Sequence, residues 1–75
     1  MSFVEDIKIL TVKRGISMSE LSRRLGESPQ NYGLKIKRNT IKDNDLKQAA
    51  LALGCEVEVV YRDKETGEVI YRNNL

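Results

Sequence analysis

The sequence predicts a mainly α-helical fold with a small β element, in which four short helices precede a C-terminal β-hairpin. Up to Gly54 the apolar residues recur at the spacing of a helix face, whereas beyond it they alternate as in a strand. Serines and glycines also punctuate the helical part at positions suited to helix starts and ends. We therefore expect a single domain over residues 1–75, with a helical bundle at 1–54 and a hairpin at 55–72.

The first helix is predicted over residues 3 to 14. Ser2 and Glu5 form a capping box, in which a hydroxyl and a carboxylate each accept a free backbone N–H group. Gly15 is suited to end the helix, because glycine readily adopts the left-handed conformation found there. Its inward face is expected to carry three apolar residues at helical spacing: Phe3, Ile7 and Leu10.

The second helix is predicted to follow a second capping box, formed by Ser17 and Glu20. Leu21 and Leu25 are spaced four residues apart and should face inward together. Gly26 is the natural end of this short helix. A tight turn then leads directly into the third helix.

The third helix is predicted to start after Ser28, which can cap it, with Pro29 at the first position, where a missing N–H group costs nothing. Tyr32 and Ile36 should face inward, and the helix should stop near Asn39. The fourth helix is predicted in "DLKQAALALG", capped by Asp43 or Asn44. Its inward residues are Leu46, Ala49, Ala50 and Leu53.

The hairpin is predicted from "CEVEVVYR", the turn "DKETG" and the returning strand "EVIYR". Pairing Tyr61 with Val69 would place Val60 beside Ile70 on one face. The opposite face would carry Val57, Val59, Tyr61, Val69 and Tyr71. We expect that apolar face to cover the helical core, against two residues of the first helix: Ile9 and Val12.

Composition limits the classes of function that the chain can have. It has 75 residues, 40% of them apolar, with a net charge of +2, no histidine and one cysteine. We therefore expect no metal site, no cofactor and no enzyme activity, since no nucleophile-and-base set or phosphate loop is apparent. The absence of a long apolar run and of a signal-peptide pattern predicts a cytoplasmic protein without membrane insertion.

The stretch "GISMSELSRRLGESPQNYGLKIKR", with "LKQAALALGC" after it, resembles the lambda-repressor-like (Cro-type) DNA-binding domains of bacteria and phages. The resemblance covers about residues 3 to 55. It implies a four-helix bundle with a helix-turn-helix, whose third helix, at about 28–38, enters the major groove of DNA. Three positions depart from the family pattern. Ile36 follows Tyr32 by four residues, where many members have the second inward residue after three. Glu27 stands where an apolar residue is usual, and Gly33 lies inside the third helix.

With Tyr32 and Ile36 turned inward, the opposite side of the third helix can meet bases. Glutamine and asparagine can pair with adenine, leucine can contact a thymine methyl group, and lysine or arginine can reach guanine or phosphate. The predicted base contacts are Gln30, Asn31, Leu34, Lys37 and Arg38. The predicted phosphate contacts are Arg23, Arg24, Ser28, Lys35 and Lys42.

Residues 28–42 contain no acidic residue, which favours a DNA-facing surface over an ordinary solvated helix face. We therefore predict a sequence-specific transcription regulator that binds double-stranded DNA, such as a repressor. A homodimer through Val60 and Ile70 would read a pseudo-palindromic site. Two alternatives stay open. The hairpin could merely complete the core of a monomer, or the chain could be a protein-interaction module (an antitoxin, an anti-repressor or an adaptor) without DNA binding.

Overall fold

The structure is a computed structural model that describes residues 2–75. These residues form four helices and a two-stranded antiparallel sheet at the C-terminus, as the sequence predicts. The helices are α1 (Phe3–Arg14), α2 (Met18–Arg24), α3 (Pro29–Arg38) and α4 (Asp43–Ala52). The strands are β1 (Glu58–Arg62) and β2 (Val69–Asn74).

Serine hydroxyl groups cap the first three helices, as predicted. The hydroxyl of Ser2 accepts the backbone N–H of Glu5, and that of Ser17 accepts the backbone N–H of Glu20. Ser28 caps α3 in the same way. These caps define where each helix starts, because they satisfy N–H groups that have no partner inside the helix.

The fourth helix starts differently from the prediction. Asp43 is already helical, and Lys42 is the residue that precedes the helix. The carboxylate of Asp45 reaches back and accepts the backbone N–H of Lys42 at 3.0 Å. The prediction that Asp43 or Asn44 caps α4 is therefore wrong, because the stabilising carboxylate lies inside the first turn.

The four helices enclose one core. Its buried residues are Val4, Ile7, Leu21, Tyr32, Ile41, Leu46, Ala49 and Leu53, with Ala50 also buried in α4. The predicted inward face of α4 is thus confirmed, but that of α1 is partly wrong. Phe3 is exposed, and the buried stripe runs through Val4, Ile7 and Thr11. Thr11 tolerates burial because its hydroxyl donates a hydrogen bond to the carbonyl of Lys8 at 2.8 Å.

The hairpin register differs from the prediction. Tyr61 pairs with Tyr71, and Arg62 pairs with Val69, so an irregularity in the ladder leaves Ile70 as an extra residue in β2. The turn sets this register. It closes with the N–H of Asp63 donating to the carbonyl of Glu68 at 2.7 Å. The predicted pairing of Tyr61 with Val69 is therefore wrong by two residues.

The predicted packing of the hairpin on α1 is also wrong. Ile9 and Val12 remain 45% and 81% exposed, and Tyr61 and Tyr71 are exposed as well. Val57, just before β1, packs against the core, and beyond it the hairpin leaves the helices. The result is an elongated molecule with extents of 45 × 24 × 19 Å. Within residues 2–75, no helix combines the length and the apolar character needed to cross a membrane.

Candidate nucleic-acid interface

The exposed surface of α3 is oriented by the burial of one side chain. Tyr32 is only 2% exposed and belongs to the core, so the residues on the other side of α3 point into solvent. Ile36, the second predicted inward residue, is half-buried against the same core. The five predicted base contacts are all exposed: Gln30, Asn31, Leu34, Lys37 and Arg38. The structure therefore places them together on one accessible helix face.

This face of α3 is electrostatically one-sided. The helix has no acidic residue in its first turn, and three basic residues lie in its last turn. Among the described residues, neither Lys37 nor Arg38 takes part in an ion pair. Their charges are therefore available to an anionic partner.

Lys35, a predicted phosphate contact, forms ion pairs within the protein, unlike Lys37 and Arg38. Its ammonium group donates a hydrogen bond to Glu27 at 2.8 Å and lies 3.9 Å from a carboxylate oxygen of Asp45. The hydrogen bond to Glu27 is the main reason why the pKa of Lys35 is raised. A phosphate that approaches Lys35 would therefore compete with these carboxylates for its ammonium group.

Glu27 occupies the position where the sequence departs from the resembled family. Its side chain is 29% exposed, and the ammonium group of Lys35 compensates its charge there. The hydroxyl of Tyr32 is buried and has no hydrogen-bond partner in the structure. Burial, followed by the nearby charges of Glu27 and Asp45, raises the pKa of Tyr32 from 10.0 to about 12.

Arg23 and Arg24 share the carboxylate of Glu20, at 2.9 Å and 3.5 Å respectively. This ion pairing lowers the pKa of Glu20, with Arg23 as the main cause. Glu20 was predicted to complete the capping box of α2 with Ser17. Its carboxylate pairs with two arginines of the same helix. Arg24 also donates a hydrogen bond to the carbonyl of Ala52 at 3.1 Å, which ties α2 to the end of α4. Arg23 is the more exposed of the two and the freer to meet a phosphate.

Ser28 and Lys42, the remaining phosphate candidates, lie just before α3 and α4 and are both exposed. The oxygen of Ser28 accepts the N–H of Asn31, which leaves its O–H free to donate to a phosphate oxygen. The positive end of the α3 dipole adds to the attraction for an anion at Ser28.

The predicted dimer residues do not pair within the hairpin. Val60 lies opposite Arg72, and Ile70 is the extra residue at the ladder irregularity, with 65% of its surface exposed. Gly33, a departure from the family pattern inside α3, has no neighbouring helix close to it within residues 2–75. A Cβ atom added there would meet nothing within 4 Å.

Sequence reasoning missed the acidic partners of the basic residues. The pairing of Glu20 with Arg23 and Arg24 follows the spacing of three and four residues in a helix and could have been predicted. The pairing of Glu27 with Lys35 spans a turn and eight residues, so no local pattern reveals it.

No protein-family model, curated protein or solved structure gives a significant match to this chain.

Proposed function

We propose that this chain is a DNA-binding transcription regulator of the helix-turn-helix type, similar to the Cro-type domains, with α3 lying in the major groove. One observation carries the proposal. Five residues suited to base contact share one exposed face of α3, in a stretch, 28–42, that contains no acidic residue.

The chemistry of this face suits base reading. Gln30 and Asn31 lie in the first turn and can each make a bidentate pair with adenine, while Leu34, one turn later, can contact a thymine methyl group. Lys37 and Arg38 follow at the C-terminal end, where they can bind guanine edges or flanking phosphates. Each good bidentate pair contributes about 1–3 kcal/mol of discrimination against a wrong base.

Phosphate contacts at both sides of α3 would fix its position on the duplex. Ser28 supports the N-terminal end, while the exposed Arg23 lies on α2 and the exposed Lys42 lies just before α4. Such contacts are independent of base sequence and weaken steeply with salt. The protein would regulate by occupying its site, without chemistry, metal or cofactor. A homodimer would place two α3 helices about 34 Å apart, on successive turns of a pseudo-palindromic site.

A second candidate is a protein-interaction module, such as an antitoxin, an anti-repressor or an adaptor. The exposed side chains of Tyr61, Ile70 and Tyr71 on the hairpin favour it. This function requires no affinity for DNA, and the two candidates therefore differ in one direct measurement.

The test selects the preferred site from random duplexes and then titrates that site and a random duplex at two salt concentrations. Asn31→Ala should weaken binding to the selected site by roughly 5-fold or more and leave binding to random DNA nearly unchanged. Arg23→Ala should weaken binding to both duplexes alike. Lys64→Ala, which removes the same charge from the exposed hairpin turn, is the matched control and should have little effect. Absence of any salt-dependent binding at low ionic strength would exclude the proposal and favour the interaction module.

A further inference from the structure

The projecting hairpin carries an exposed aromatic pair. The rings of Tyr61 and Tyr71 lie 5.9 Å apart between centroids, and the two residues are 55% and 58% exposed. A two-stranded hairpin alone is marginally stable in water and usually needs another surface to pack on. At the aromatic pair the helices of its own chain do not provide that surface, since both tyrosines remain more than half exposed.

The turn of the hairpin carries a net negative charge, because Asp63, Glu65 and Glu68 outnumber Lys64. Glu65 and Glu68 are exposed, and in the part of the chain that the structure describes neither forms an ion pair. Asp63 adds a third carboxylate to the turn, and its oxygen accepts the backbone N–H groups of Glu65 and Thr66.

The outer face of α1 has the complementary character. Ile9 and Val12 form an exposed aliphatic pair, and Lys8 and Lys13 flank it on the same helix surface. Over residues 2–75 these two lysines, like the two glutamates, have no ion-pair partner. A groove of about 410 Å³ beside Val57 borders this surface, since Ile9 and Lys13 also line the groove.

We propose that the hairpin of a second copy of this chain docks on this outer face of α1. The aromatic pair would cover Ile9 and Val12, and the two glutamates of the turn would meet Lys8 and Lys13. Because each copy has one hairpin and one outer α1 face, a twofold axis makes two such contacts and leaves neither face unpaired. This contact differs from a dimer through Val60 and Ile70. It does not depend on the proposed function, because it involves no residue of the α3 face.

A charge-exchange experiment without DNA tests this contact by sedimentation. The wild type should dimerise. Two double variants, Lys8→Glu/Lys13→Glu and Glu65→Lys/Glu68→Lys, should each self-associate at least about tenfold more weakly than the wild type, because both contacts become repulsive. An equimolar mixture of the two variants should regain wild-type association, since both contacts of the mixed dimer are again complementary. Lys37→Glu/Arg38→Glu, which reverses two charges on α3, is the matched control and should dimerise like the wild type.

Two results would overturn the contact. One is a wild type that stays monomeric at high concentration, as expected if the hairpin folds back on its own α1 or binds another partner. The other is a pair of charge-reversed variants that still self-associate like the wild type or do not associate when mixed. Circular dichroism of each variant checks that its fold is retained. Because no DNA is present, failure here leaves the proposed DNA binding untouched.

Discussion

Neutralising Glu27 should strengthen binding to any DNA duplex, if α3 binds DNA as proposed. Glu27 holds the ammonium group of Lys35 at 2.8 Å, and a phosphate must compete with it for that group. Glu27→Gln keeps the size of the side chain and its carbonyl oxygen but removes the charge. The carboxylate that competes most strongly with a phosphate for Lys35 is then absent, since Asp45 lies farther from Lys35, at 3.9 Å.

The expected magnitude follows from the exposure of this ion pair. The side chains of Lys35 and Glu27 are 39% and 29% exposed, so water and salt screen much of their attraction. A pair of this kind contributes about 0.5–1 kcal/mol, which corresponds to roughly 2- to 5-fold tighter binding once the competition is removed. One additional phosphate contact should also steepen the slope of log K against log salt by about 0.9.

Fluorescence titration with a random duplex at several salt concentrations measures both quantities. Glu68, on the hairpin turn, forms no ion pair with any residue from 2 to 75. Glu68→Gln therefore removes the same charge and measures the long-range effect of net charge on DNA binding. The decisive comparison is Glu27→Gln in a Lys35→Ala background. In that background Glu27→Gln should increase the affinity for DNA only by the long-range effect of net charge.

Glu27→Gln should bind more tightly than Glu68→Gln, and equal affinities would refute this role of Lys35. Persistence of the full gain without Lys35 would refute it as well. In either case Lys35 would not contact phosphate, and the role of its ion pair would be confined to holding α3 on the core.

Three further predictions concern stability. Because folding raises the pKa of Tyr32 from 10.0 to about 12, the stability due to its protonated form is present below pH 10 and is lost as the pH rises to about 12. In denaturant titrations Tyr32→Phe should therefore lose about 2–3 kcal/mol less stability over this pH range than the wild type. The control Tyr61→Phe should lose as much stability as the wild type. Equal losses in Tyr32→Phe and the wild type would contradict the burial of the phenol. Gly33→Ala should raise the melting temperature by about 4–8 °C, since the added methyl group meets nothing within 4 Å, and a decrease would reveal strain in α3. Asn39→Ala should cost about 1 kcal/mol, because Asn39 has a left-handed φ of 55°, and an unchanged unfolding midpoint would show that the helix end relaxes.

The helices could be predicted well because their signals are local. Each serine cap acts on an N–H group three residues away, and the glycine after α1 has the left-handed conformation expected of it. The exposed face of α3 was predictable for the same reason, once Tyr32 was recognised as buried. The error at Phe3 arose because its neighbour Val4 fits the same helical spacing to Ile7, and only packing decides between them.

The amino-acid sequence thus determined the four helices, the presence of a hairpin and the exposed residues of α3, because capping, helical periodicity and turn chemistry act over a few residues. The tertiary structure alone decided which charges meet and where the hairpin lies. Lys35 meets Glu27 and Asp45 only when α3 and α4 pack around Tyr32. The hairpin register depends on how the turn closes at Asp63, and its projection depends on where the chain leaves the core. Contacts between distant segments depend on the packed shape, which no local pattern encodes.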